Sequence, residues 1–138
     1  MKSIKQIQDE IIEDFNIFDN WIEKYEYLID LGKELPKIDD KQKVDSNLIK
    51  GCQSRVWLSA KKLNEKIIFT ADSDAIMTKG IIALLINVLS NQSADDISNS
   101  DLYFINKIGL NEQLSATRAN GLSSMIKQMK IYAIGLNK

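Results

Sequence analysis

Residues 56–71, VWLSAKKLNEKIIFTA, contain two runs in which apolar and polar side chains alternate. A period of two places every second side chain on the same face of a β-strand. The polar stretch Lys62–Glu65 between the runs predicts the turn of an antiparallel hairpin. An isolated hairpin is only marginally stable in water, so this one must pack against helices. The alternating apolar positions are Val56, Leu58, Ala60, Ile67, Phe69 and Ala71.

Upstream of the hairpin, isoleucines and phenylalanines at three- and four-residue spacing predict an amphipathic helix over residues 3–18. Asn20, followed three residues later by Glu23, resembles a capping box for a second helix, which we expect to end at Gly32. Residues 37–47 are polar and predict a surface loop. Residues 47–50 are a candidate for a short third strand.

Downstream, the sequence Asp72-Ser73-Asp74 offers capping oxygens for a helix over residues 75–89, with Gly80 on a face of small residues. Residues 94–108 predict short helical pieces, and Ser115 caps a long final helix. The order helix–helix–hairpin–helix–helix predicts an α+β fold, with a small antiparallel sheet of two to three strands packed against helices. We expect residues 1–138 to form one domain.

Composition narrows the class of protein. Apolar residues make up 44% of the chain and charged residues 27%, as in ordinary soluble domains. The net charge of −1 argues against a nucleic-acid surface, which needs an excess of basic groups. The sequence shows neither a signal-peptide pattern nor an apolar stretch long enough for a membrane span. With one cysteine and hence no internal disulfide, the chain fits a reducing, cytoplasmic location.

Cys52 is the only cysteine, it lies in the segment Gly51-Cys52-Gln53-Ser54, and the chain has no histidine. A cysteine hydrolase needs a base beside its sulfur, usually histidine. Zinc and iron–sulfur sites need several Cys or His ligands, and a redox pair needs a second thiol. We therefore expect no metal site. The remaining possibilities are a small buried apolar side chain and a single sulfur that accepts and passes on a group.

Four blocks of sequence resemble the SufE/CsdE family of sulfur-acceptor proteins. They occur in the family's order and at its spacing, which makes the resemblance far more specific than a lone GCxS segment. The blocks are Trp21–Pro36, Gly51–Trp57, Asp72–Gly80 and Leu114–Leu122.

The resemblance implies a role in iron–sulfur cluster biogenesis. Family members accept persulfide sulfur from a PLP-dependent cysteine desulfurase of the SufS or CsdA type, stimulate that enzyme, and pass the sulfur to a SufBCD-type scaffold. Cys52 would be the acceptor thiol. The chain would bind no cofactor itself, because the PLP belongs to the desulfurase, and it would be a sulfur carrier and not an enzyme. A SufE/IscU-like fold is also implied. The branch, SufE or CsdE, and the oligomeric state, monomer or homodimer, stay open.

Persulfide transfer is exchange at sulfur and needs only a thiolate, so a domain without histidine can perform it. Positive charge near Cys52 would raise the thiolate fraction. We expect the thiol to be partly sheltered and to swing outward when a partner docks, with Gly51 supplying backbone freedom. Asp72 and Asp74 are most simply helix caps. The residues expected to support the loop or contact a partner are Gly51, Gln53, Ser54, Arg55, Arg118 and Asp74.

Two alternatives come from other functional classes. One is a module that regulates a desulfurase without carrying sulfur, which Cys52→Ser would distinguish from a carrier. The other is a stand-alone cysteine enzyme, against which the missing histidine argues.

Overall fold

The hairpin predicted from the alternating pattern forms the small sheet of the protein. In the computed structural model, which describes residues 2–137, β1 (Val56–Leu63) pairs antiparallel with β2 (Lys66–Ser73). The turn residues Asn64 and Glu65 both have positive φ angles, 52° and 65°, which matches the twist of a tight hairpin turn. Each strand buries the apolar face that its alternation predicts. The buried side chains of this face are Val56, Leu58, Ile67, Phe69 and Ala71.

The third strand expected at residues 47–50 is reduced to a single bridge. Leu48 pairs with Trp57, and the Ile49 N–H donates to the Val56 carbonyl at 2.9 Å. The sheet is therefore two-stranded, because the chain leaves the edge of β1 after one pairing.

Helices surround the buried face of the hairpin, so the α+β class is confirmed. The predicted caps of two helices are present: Asn20 accepts from the Glu23 N–H, and Ser115 accepts from the Arg118 N–H. The first helix is shorter than expected and begins after a cap from Ser3. The helices are α1 (Ile4–Asn16), α2 (Trp21–Lys33), α3 (Ile76–Leu89), α4 (Ala94–Ser98), α5 (Phe104–Lys107), α6 (Leu110–Gln113) and α7 (Ala116–Leu136).

Helix α3 is the centre of the core, and ten of its residues are buried. It packs against α2 through glycines. A Cβ on Gly32 would lie 2.9 Å from the Gly80 nitrogen, and a Cβ on Gly80 would collide with the Leu28 carbonyl. Gly32 was expected to end α2, but the helix continues to Lys33 and Gly32 is buried at this contact. Gly32 therefore allows α2 and α3 to pack closely and does not end α2.

The start of α3 differs from the prediction as well. Its N-terminal flanking residue, Ala75, has no side-chain capping bond, so neither Asp72 nor Asp74 caps the helix. Longer-range partners bind both carboxylates. Asp72 forms ion pairs with Lys43 at 3.1 Å and Lys79 at 3.3 Å, and Asp74 accepts from the Arg55 N–H.

Residues 37–47, predicted as a loop, contain two 3₁₀ turns, Asp40–Gln42 and Asp45–Asn47. Lys43 holds this segment against the hairpin, since its Nζ lies 4.7 Å from the centroid of the Trp57 ring and also pairs with Asp72. The Trp57 side chain is only half-buried beneath Lys43. Trp21, by contrast, packs against the core.

Within residues 2–137, no helix combines the length and the apolar character needed to cross a membrane.

Candidate functional site

Cys52 lies in a short loop, residues 50–55, between the Leu48–Trp57 bridge and β1. The hydrogen bond from Ile49 to Val56 closes the base of this loop. Gly51 has a φ of 93°, in the left-handed region that favours glycine, and a Cβ there would lie 2.6 Å from the Ser124 Oγ. The loop therefore favours glycine before the thiol for its backbone conformation, and this glycine lies close to the Ser124 side chain of α7.

The far end of the loop is held at Arg55 by its main chain. The Arg55 N–H donates to the Asp74 Oδ1 at 3.1 Å. The Arg55 carbonyl accepts from the Ser73 Oγ at 2.7 Å and from the Asp74 N–H at 3.3 Å. These three bonds fix the point where the loop enters β1. Between these two ends, residues 51–54 belong to no strand or helix.

The Cys52 thiol is half-buried against α7. Its Sγ donates to the Gly121 carbonyl at 3.6 Å, and a Cβ on Gly121 would lie 3.5 Å from the same sulfur. Burial raises the pKa of the Cys52 thiol, because removal from water disfavours the charged thiolate. The closed loop thus shelters part of the sulfur and favours the protonated thiol, as expected for a thiol that must resist oxidation.

A small cavity of about 60 Å³ adjoins the sulfur, between the loop, α3 and α7. The cavity has a mixed wall of apolar, hydroxyl and guanidinium groups. The lining residues are Cys52, Gln53, Ser54, Thr78, Ile81, Thr117, Arg118, Gly121 and Met125.

The structure brings four of the predicted site residues together around this cavity: Cys52, Gln53, Ser54 and Arg118. Arg118 is exposed, and it is the only cation in the lining. The other three predicted residues do not line the cavity and lie at the ends of the loop. Gly51 forms the left-handed turn at one end, and Arg55 and Asp74 form the main-chain bonds at the other.

Sequence analysis missed the part of the cavity wall that comes from distant helices. Thr78 and Ile81 come from α3, and Thr117 and Gly121 come from α7. Gly121 packs against the Cys52 sulfur. The sequence offered only a threonine within an apolar helix and a glycine inside a long helix, and neither residue type indicates which group it packs against.

No cluster of three or more metal-ligating side chains, counting His, Cys, Asp and Glu, occurs within residues 2–137.

Comparison with known proteins shows the family of the chain. The SufE family, described as an Fe-S metabolism associated domain, matches residues 9–133. An uncharacterized SufE-like protein from Rhizobium meliloti (strain 1021) is 39% identical over 132 residues, covering 92% of this chain and 94% of its own. A second uncharacterized SufE-like protein, from Rhizobium etli, is 39% identical over 127 residues, covering 88% and 86%.

A solved structure shares the fold. The solution structure of a hypothetical protein from Thermus thermophilus superposes with a TM-score of 0.79, covering 94% of this chain and 95% of that chain. The two sequences are 17% identical, so the likeness concerns the fold alone.

Proposed function

We propose that this chain, which belongs to the SufE family, accepts sulfur on Cys52 from a PLP-dependent cysteine desulfurase and passes it to an iron–sulfur cluster assembly scaffold. The family's association with Fe-S metabolism supports a sulfur-related role. The observation that carries the finer proposal is the placement of Cys52. It is the chain's single thiol, on a loop fixed at both ends and half-buried beside a cavity.

The transfer requires only sulfur chemistry. The Cys52 thiolate attacks the outer sulfur of a persulfide on the desulfurase, the S–S bond to the donor cysteine breaks, and the donor leaves as a thiolate. Cys52 then carries the outer sulfur as its own persulfide. One S–S bond forms and one breaks, so no external oxidant or reductant is consumed. The absence of histidine is compatible with this step, because no base is needed beyond whatever removes the thiol proton.

The closed loop suits a carrier that must not react early. Burial favours the protonated thiol, and Gly121 and the cavity wall cover part of the sulfur. Movement of the loop on docking would expose the sulfur and return it to water, which restores its acidity. Arg118, which lines the same cavity, would stabilise the thiolate that forms.

The proposal also includes the sulfur donor, the sulfur acceptor and the cellular location. The donor is a SufS- or CsdA-type desulfurase, which the chain stimulates, and the acceptor is a SufBCD-type scaffold. The chain acts as a carrier and not as an enzyme. We place the protein in the cytoplasm, where a free thiol is kept reduced.

Intact-mass analysis after incubation with a cysteine desulfurase, PLP and cysteine tests this function. We expect a mass gain of about 32 Da, one sulfur atom, that reductant reverses and that Cys52→Ser abolishes. Cys52→Ser should keep the fold, because the thiol makes only one long hydrogen bond. Faster desulfurase turnover without any mass gain would replace the carrier by a regulator. If the protein neither gains mass nor speeds desulfurase turnover, both the carrier and the regulator are refuted.

A further inference from the structure

A second hollow lies on the other flank of the Cys52 loop. It has a volume of about 410 Å³ and runs between residues 46–50 and α7. We call it the lysine groove. Its lining residues are Ser46, Leu48, Ile49, Lys50, Ser124, Lys127, Gln128, Ile131 and Tyr132.

The lysine groove is continuous with the Cys52 loop. Lys50 belongs to both, and the next residue, Gly51, would place a Cβ 2.6 Å from the Ser124 Oγ in the groove wall. Anything seated in the groove therefore contacts the segment that precedes Cys52. None of the groove residues lines the cavity beside the sulfur, so the two hollows are separate.

The groove carries unpaired positive charge. Lys50 and Lys127 are exposed, and within residues 2–137 neither forms an ion pair. Among the described residues, no carboxylate lines the groove, although the chain as a whole has a net charge of −1. Six other lysines are paired with Asp or Glu, whereas Lys50 and Lys127 share a groove whose lining offers them no carboxylate. The six paired lysines are Lys2, Lys5, Lys33, Lys43, Lys62 and Lys79.

Apolar surface accompanies the charge. Ile49 is buried at the floor, Leu48 is half-buried, and Ile131 on α7 is 48% exposed. Ile131 is thus half exposed in the same groove as the two unpaired lysines. Such a surface suits a partner that brings both an apolar side chain and carboxylates.

We propose that the lysine groove binds an acidic segment of the cysteine desulfurase, with its carboxylates on Lys50 and Lys127 and an apolar side chain against Ile131. This inference rests on the proposed function. It adds a contact surface that is separate from the reacting sulfur. A desulfurase segment bound in the groove would contact Lys50, the residue that begins the Cys52 loop. Docking would therefore act on the loop that must move to expose the sulfur.

The test measures binding of purified desulfurase by titration calorimetry at low salt. The variant is Lys50→Glu with Lys127→Glu, and the matched control is Lys41→Glu with Lys107→Glu, two exposed lysines outside the groove with the same change in net charge. We expect the groove variant to raise the Kd about tenfold and the control less than twofold. Added salt should weaken wild-type binding more than binding by the groove variant. Equal weakening by both variants would overturn the inference.

Sulfur acceptance separates this inference from the proposed function. We expect the groove variant to gain sulfur at saturating desulfurase, whereas Cys52→Ser binds with the wild-type Kd and gains none. If wild type carries sulfur and the groove variant binds normally, the function stands and the groove assignment fails. If wild type neither binds nor gains sulfur, both fail. If the groove variant binds the desulfurase normally but delivers less sulfur to the scaffold, the groove binds the scaffold and not the desulfurase.

Discussion

A Cβ placed on Gly80 would collide with the backbone of Leu28, whereas a Cβ placed on Gly121 would lie 3.5 Å from the Cys52 sulfur, an ordinary contact distance. Both glycines are buried in helices and both allow a close approach. The first joins two helices of the core, backbone to backbone. The second receives a side chain from a loop that is fixed only at its ends. The same residue type thus marks a rigid contact in one region and a separable contact in the other.

The largest effect should come from filling the rigid contact. Gly80→Ala gains helix propensity of about 1 kcal/mol but forces α2 and α3 apart, since the obstructing atoms are backbone. We expect a net loss of about 2 kcal/mol in the free energy of unfolding, within the range for overpacked cores. Urea unfolding followed by circular dichroism measures it.

Gly135→Ala is the control, because nothing lies within 4 Å of a Cβ at that position of α7. It should be neutral or slightly stabilising. Equal stability of the Gly80 and Gly135 variants would show that α2 and α3 can separate freely.

A smaller effect should follow from loosening the loop at Arg55. Asp74→Ala removes the acceptor of the Arg55 N–H, a hydrogen bond worth about 1 kcal/mol. Since the loop then opens more often, alkylation of Cys52 by iodoacetamide should be roughly fivefold faster. Asp74→Asn keeps an oxygen acceptor and should stay near the wild-type rate. Equally fast alkylation of both variants would mean that the carboxylate charge, and not this bond, restrains the loop.

Filling the separable contact should have the opposite sign from Gly80→Ala. Gly121→Ala meets Cys52 only at ordinary distances, so the gain in helix propensity should dominate and stabilise the protein by up to about 1 kcal/mol. Thermal unfolding measures the change. A clear loss of stability would show that the seat beneath Cys52 is as rigid as the contact between α2 and α3.

The smallest effect that we expect is on the titration of Cys52. Burial raises the thiol pKa in the folded protein, so the reactive thiolate should form at higher pH than in the chain unfolded by urea. The alkylation rate plotted against pH should therefore have its midpoint displaced upward on folding. A downward displacement would mean that Arg118 outweighs burial in the free protein.

The parts of the fold that could be predicted are those with local causes. The period-two pattern at Val56–Ala60 gave β1 its buried face, and the side chains of Asn20 and Ser115 cap helices only three residues away. The single Leu48–Trp57 bridge could not be separated from a strand, because four residues carry little periodic signal.

Long-range contacts account for the failures. Asp72 and Asp74 stand where caps usually stand, but Lys43 and the main chain of Arg55 bind them instead. The candidate site divides in the same way. Cys52 and its neighbours follow from the sequence and the family resemblance, whereas Thr78 and Thr117 reach the cavity only through the packing of α3 and α7.

The position of Lys43 over Trp57 gives the molecule an optical signal of its own. Indole emission responds to nearby charge, and this indole lies under an ammonium group at 4.7 Å while its main chain pairs with Leu48 at the base of the Cys52 loop. The chain has two tryptophans, and the other one, Trp21, lies in α2, well before Trp57 in the sequence. With Trp21→Phe, the remaining fluorescence would follow rearrangement at the root of the loop in real time, without a label and without touching the sulfur.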